Sequence, residues 1–296
     1  MQELILARVL RTTLLVATVA TMGLTAPASL AGETVVVSAL SAAPAVDGDL
    51  SDWGNNWHQL QVKPAMEGDD NNRTGTLTIE VQAGVAGDAV YFAARWPDAK
   101  ADVEYKPWEW KRNKYQRGKD RDDMFALRFD MAGDFNSCMI ADADYDVDVW
   151  LWSAGRSNLR DYATDMWHKI TLSRLENAAE YKTPGGATVY IQKSPDAGLA
   201  GFENTRPNRN QRQEDRLPGI AFTDGPSGSI GDVAAKGVWR DGHWQLELKR
   251  KLDTGHGDDV VFKPGTTIKG QIGIFNEGYA EHKSVTDVLL FDFSAL

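Results

Sequence analysis

The sequence predicts an all-β protein, an antiparallel β-sandwich with long loops and few short helices. Three observations carry that expectation. Short segments alternate apolar and polar residues with period two, as strands with one buried face do. Clusters of Gly, Pro, Asn and Asp separate those segments. Helical spacing is weak everywhere except from Asn158 to Leu175, so helices do not alternate with strands as a parallel sheet would require.

Taken in order, residues 1–31 come first. Arg8 and Arg11 precede an apolar stretch from Thr12 to Gly23, and Ser29-Leu30-Ala31 places small residues where a signal peptidase reads them. That three-part pattern predicts a cleaved signal peptide over residues 1–31 and one domain over residues 32–296, delivered to the periplasm. No later run approaches the ~18 apolar residues of a membrane helix, so the mature chain is expected to be soluble and not membrane-spanning. Cleavage removes two Arg and one Glu, which turns the formal charge of −10 into −11. Such acidity argues against nucleic acid as a partner, because phosphate binding needs clustered basic charge. It suits docking on a basic protein.

The strands follow. Val90, Phe92, Ala94 and Trp96 share one face of a run beginning at Asp88. Phe125, Leu127 and Phe129 alternate with Met124, Ala126 and Arg128, and Val147, Val149 and Leu151 alternate with Asp146, Asp148 and Trp150. Arg240-Asp241-Gly242-His243 joins Val238-Trp239 to Trp244-Gln245-Leu246 as a hairpin, with Asp-Gly supplying the positive φ angles. Pro264-Gly265 introduces a strand from Thr267 to Phe275, and the last strand is expected from Val285 to Phe293. Residues 97–122, with Trp108 and Trp110, and residues 194–231, rich in Pro, Gly, Asn and Arg, read as long loops.

Several chemistries are excluded. Cys138 is the one cysteine, which leaves no internal disulfide, C-x-x-C-H haem attachment, zinc ribbon or cysteine-held iron–sulfur cluster. No Ser-His-Asp pattern, phosphate-cradling Gly loop or H-E-x-x-H motif occurs, and adjacent Asp122 and Asp123 cannot converge on one bond as a glycosidase pair does. Asp142, Asp144, Asp146 and Asp148 lack the Gly and distal Glu of an EF-hand loop, so they read as a solvated strand face. His58, His168, His243 and His256 read as surface residues.

A resemblance adds to this. Val46-Asp47-Gly48-Asp49-Leu50-Ser51-Asp52-Trp53 is similar to the opening of exported sandwich modules, including family 9 carbohydrate-binding domains. Asp120 to Leu127, then Phe135-Asn136-Ser137-Cys138-Met139, then Asp146-Val147-Asp148-Val149-Trp150-Leu151-Trp152 resemble, in that order, the haem-binding subunit of ethylbenzene dehydrogenase and its dimethylsulfide, selenate and chlorate relatives. Gly237 to Trp244, Arg250-Lys251-Leu252, Asp259 to Phe262, Ile272 to Asn276 and His282-Lys283-Ser284-Val285 continue the match, which covers residues 45–293. Two features depart from it: Ala141 to Tyr145 stands where the family has glycine and proline, and residues 155–232 are longer. These departures point to a stand-alone or differently partnered member.

The resemblance implies an immunoglobulin-like or carbohydrate-module-like sandwich holding one haem b, with Met139 and Lys283 as axial ligands of the iron and Trp150 and Trp152 as walls for the porphyrin. Neighbouring His282 rivals Lys283, since imidazole needs no unusual deprotonation; in extended chain the two point oppositely, so one of them faces the pocket. Arg128, Arg156 and Arg160 are candidates for the propionates. The implied role is electron transfer without substrate catalysis, with a redox partner such as a molybdenum-enzyme complex or a cytochrome. The alternative is a carbohydrate-binding module without cofactor, in which exposed Trp108 and Trp110 stack on sugar rings.

Overall fold

Alternation becomes strand at almost every place where the sequence shows it. A computed structural model describes residues 32–278 and 282–296; the expected signal peptide, residues 1–31, lies outside the described residues. The chain runs through β1 (Glu33–Ala39) and β2 (His58–Pro64) into the hairpin of β3 (Leu77–Ala86) and β4 (Ala89–Pro97). A small hairpin, β5 (Trp108–Lys111) and β6 (Lys114–Arg117), precedes β7 (Met124–Gly133), β8 (Tyr145–Ser153) and β9 (Tyr162–Thr171). Next come β10 (Ala179–Lys182), β11 (Thr188–Pro195) and the short β12 (Phe202–Asn204), β13 (Arg216–Leu217) and β14 (Ile220–Phe222). The hairpin of β15 (Val233–Arg240) and β16 (His243–Lys251) follows, then β17 (Thr267–Phe275), β18 (Ser284–Val285) and β19 (Leu289–Asp292). The helices described are single 3-10 turns, at Leu50–Asp52, Ser157–Arg160 and Ser229–Gly231.

The all-β expectation holds, but the plain sandwich does not. Backbone pairing runs β1–β19–β17–β7–β8–β9–β15–β16–β4–β3 and returns to β1, a closed barrel of ten strands. Two strands turn the corners. β1 pairs with β19 through Glu33–Val36 and with β3 through Val37–Ala39, both in parallel, whereas the other ring pairings are antiparallel. β9 joins β8 along most of its length and β15 at Tyr162 and Ala163. Closure satisfies edges that an open sandwich leaves bare.

Other expectations need correction. The helical spacing from Asn158 to Leu175 belongs to one 3-10 turn followed by β9, because pairing with β8 and β11 outweighs local propensity. The two stretches expected as loops fold on each other, β13 adding to β5–β6 and β12 pairing β14. The final strand is split at Thr286–Val288, where Thr286 takes both Ile272 bonds through its hydroxyl and its own N–H. The Asp241-Gly242 hairpin is as expected, with φ angles of 52° and 77°.

Aromatic rings fill the barrel. Phe129 meets Trp150 and Trp152 meets Trp244 at 5.0 Å between centroids, each edge to face. The outer face of β8 is also covered: Val147 and Val149 pack with Phe135, Tyr145, Ile170 and Ile191 in a second apolar cluster. A strand buried on both sides explains why Asp148, expected in solvent, is fully buried: it lies on the barrel face with Trp150 and Trp152.

Candidate functional site

Outside the barrel, register assembles one sheet face. Gln271 pairs with Arg128, Arg128 with Val149 and Val149 with Met166; one row on, Gly273 pairs with Ala126 and Ala126 with Leu151. Lys193 of β11 stands opposite His168 of β9. These residues floor two adjoining hollows of about 100 and about 150 Å³, which share Met139, Lys193 and Lys283 among their lining residues.

The loop between β7 and β8 forms one wall. At its root, Gly133 has φ 89°, and a Cβ there would stand 2.2 Å from the Asp144 carbonyl oxygen, so only glycine lets the two ends meet. Arg128 Nη2 donates to the Asn136 carbonyl at 2.7 Å and Tyr145 Oη donates to it at 3.3 Å. The Asn136 side chain accepts the Cys138 N–H at 2.9 Å, which turns the chain so that half-buried Met139 lines both hollows.

Lys283 comes from the other side. Its carbonyl accepts the Ala65 N–H at 2.9 Å, and its Cδ lies 3.7 Å from where a Gly273 Cβ would stand. Lys283 and Val285, two residues apart, both face the hollow. His282 instead meets the Asp69 carboxylate at 2.9 Å. Of the rival pair, Lys283 is therefore the one at the hollow.

Two polar groups in this floor stand out. Arg128 is buried, and its Nε and Nη1 have no hydrogen-bond partner among the described residues. His168, expected at the surface, is 7% exposed, and neither ring nitrogen has a hydrogen-bond partner among the described residues. Burial first, then the positive charges of Lys193, Arg128 and Lys283, push it down to about 3. The imidazole is neutral at any physiological pH. Sequence reasoning missed His168 because the strand that carries it was read with helical spacing; the signal was Met166, His168 and Ile170 on alternate positions.

The expected porphyrin walls are elsewhere. Trp150 and Trp152 are wholly buried in the barrel, on the opposite face of β8 from Val149 and Leu151, which line the hollow. The strand's two-residue period, placed on a sheet with two buried faces, sends them inward. Arg156 is tied to Asp122 at 3.0 Å and Arg160 to the Thr223 carbonyl, so of the three arginines only Arg128 lines the hollow. Trp108 and Trp110, expected to be exposed, are half-buried: Trp108 donates to Thr205 and lies under Arg117, and Trp110 packs on Tyr115. The Val46–Trp53 segment closes around Glu247, which accepts from Gly48 N–H and Trp53 Nε1, both at 2.8 Å.

Comparison with known proteins gives one family: a family model described as ethylbenzene dehydrogenase matches residues 50–286. No curated protein matches the chain. Among solved structures it is similar to a family 9 carbohydrate-binding module from Caldicellulosiruptor kristjanssonii in complex with glucose, at 10% identity over 86% of this chain and 85% of that one, TM-score 0.36. It is also similar to a putative carbohydrate-binding protein from Bacteroides uniformis, at 12% identity over 88% of this chain and 100% of that one, TM-score 0.41.

Proposed function

Because this chain belongs to the ethylbenzene dehydrogenase family, we propose that it is an exported haem b protein that transfers electrons and performs no substrate chemistry of its own. One observation carries the reading. Met139 and Lys283, far apart in sequence, line the same hollows over the bare backbone of Gly273.

Bound there, the haem supplies a one-electron couple. Met139 offers a soft, neutral thioether, which favours the reduced metal. Lys283 would serve as a neutral amine, the form in which a lysine can ligate a metal. Arg128, with two unpartnered guanidinium nitrogens, and the neutral His168 offer donors to acidic groups at the edge of the macrocycle. The hollows are smaller than the roughly 300–1,000 Å³ of pockets that bury a ligand of cofactor size. A haem would need more room than the two hollows offer as they stand. Export through residues 1–31 places the protein in the periplasm, where its acidity suits a basic redox partner, a molybdenum-enzyme complex or a cytochrome.

The test is the visible spectrum of the full chain produced in a haem-competent periplasm. A sharp Soret band with low-spin bands on reduction is expected; a colourless protein that takes up no added haem overturns the proposal. Met139→Ala and Lys283→Ala should each give high-spin or lost haem, and His282→Ala should leave the spectrum low-spin. Loss in His282→Ala with no change in Lys283→Ala would reverse the ligand assignment.

A further inference from the structure

The far end of β8 carries a different kind of surface. The loop of residues 134–144 joins β8 at Tyr145, whereas Gly155 follows its other end, roughly 25 Å along the strand at about 3.3 Å per residue. There residues 97–122 and 194–231 fold on each other and leave a hollow of about 440 Å³. Val103, Leu159 and Phe222 border it and are 50%, 56% and 48% exposed. Large apolar side chains scattered singly need no explanation, but three around one hollow form a patch that is costly to leave in water.

This patch is held in shape. Tyr115 Oη accepts the Gln213 and Glu214 N–H groups at 2.9 and 3.0 Å and donates to the Glu214 carbonyl at 2.7 Å. Arg216 pairs with Glu104, with Glu109 at 3.1 Å and with Asp120 at 2.9 Å. A surface fixed before association loses little conformational freedom when it is covered.

Charge decides what can cover it. The chain carries a formal charge of −10, so two copies repel each other over most approaches. Around this hollow the balance differs. The carboxylates that line it or pair with its lining are Glu104, Glu109, Asp120 and Glu214. Against them stand Arg216 in the lining, Lys106 and Arg121 over the Tyr105 ring, Arg160 over the Phe222 ring, and Arg117, which donates to the Gly219 carbonyl at 3.0 Å. Arg156, also over Tyr105, is offset by Asp122 at 3.0 Å. The face is therefore close to neutral on an acidic molecule, and a second copy can approach it without the general repulsion.

We infer that this face is the contact of a two-fold dimer of the chain. Across a two-fold axis residue i meets j while j meets i. The projecting Leu159 and Phe222 of each copy then fill the other's hollow, and the mixed rim offers each charge an opposite. The apolar centre supplies the attraction and the rim sets the register. The hollows beside Met139 lie at the opposite end of β8 and stay open, so the dimer does not depend on the haem reading.

The test is sedimentation equilibrium of the purified full chain, without added haem, from about 1 μM to about 1 mM. Dimer is expected to accumulate across that range. Its dissociation constant should fall severalfold between about 0.05 and 0.5 M sodium chloride, because salt screens the repulsion between like-charged copies. Leu159→Asp and Phe222→Asp, both at exposed positions, should keep the parent's Tm and weaken the dimer by about thirtyfold or more. Leu172→Asp should dimerise as the parent does: Leu172 is 38% exposed and donates its N–H to Asp144, beside the other end of β8. Should one variant fail to fold, the other and the parent's salt response decide. A parent that stays monomeric to about 1 mM overturns the dimer and leaves the patch to a different protein. Undiminished association in folded Leu159→Asp and Phe222→Asp, or a dimer that salt dissolves, overturns the assignment of this face.

Discussion

Facing inward, β7 and β8 present Phe125, Leu127, Phe129, Trp150 and Trp152 to a core where rings meet rings. Facing outward, the same strands present Ala126, Arg128, Val149 and Leu151 to hollows in which buried donors lack partners. Backbone and register are identical on the two sides. The difference lies in side-chain volume: inside, aromatics fill the space; outside, Gly273 and Ala126 leave it open under Met139 and Lys283. A strand that alternates large with small residues can thus serve stability on one face and binding on the other.

The contrast can be broken first from the inside. Trp150→Ala should cost about 3–5 kcal/mol, read as a lower urea midpoint; a loss below about 1 kcal/mol would mean that the inward face is not the core. Gly273→Leu attacks the other face. The added chain meets Phe275, Lys283 and Val285 at ordinary contact distances, 3.6–3.8 Å for its Cβ, so the fold should survive with a change of about 1 kcal/mol or less. Haem uptake should nevertheless be abolished, as a titration followed at the Soret band would show. Retention of full uptake would place the cofactor elsewhere.

His168→Leu sharpens the comparison more gently. It removes an imidazole that has no hydrogen-bond partner among the described residues, and should stabilise the haem-free protein at pH 7 by about 1 kcal/mol. The gain should grow with acid. Neutral His168 is held to about 3 in the fold against an ordinary 6.5, so its contribution is complete above pH 6.5 and is lost as pH falls toward 3. Asp123 slopes the other way: burial raises it to about 7, so stability it contributes below its ordinary 3.8 is lost as pH rises toward 7. Urea midpoints of parent and variant between pH 4 and 8 would reveal both trends, and a flat difference would contradict the buried, neutral imidazole.

Much of this was legible in the chain itself. Thr267–Phe275 and the Asp241-Gly242 hairpin follow from local pattern, because turn chemistry and two-residue alternation are written within a few neighbours. Met139 and Lys283 came from resemblance and meet at one place. The inside and outside of β8 were not legible: both Val149 and Trp150 are apolar, and alternation names two faces without saying which is which. Asp148 was misplaced for that reason, and His168 because its strand was read with helical spacing. The barrel's closure left no local trace either, since β1 finds its partner β19 at the far end of the domain.

That closure orders events. β1 is the first strand described and β19 the last, and each completes the other's ladder, so a partly delivered chain holds β1 with a bare flank along Glu33–Val36. Until the final residues arrive, that flank is a template for any extended segment nearby, including the same stretch of a sister molecule. Trimming back into β19 would bare that flank and also take Phe291 and Phe293 out of the core, so intermolecular clumping and a weakened core should appear together.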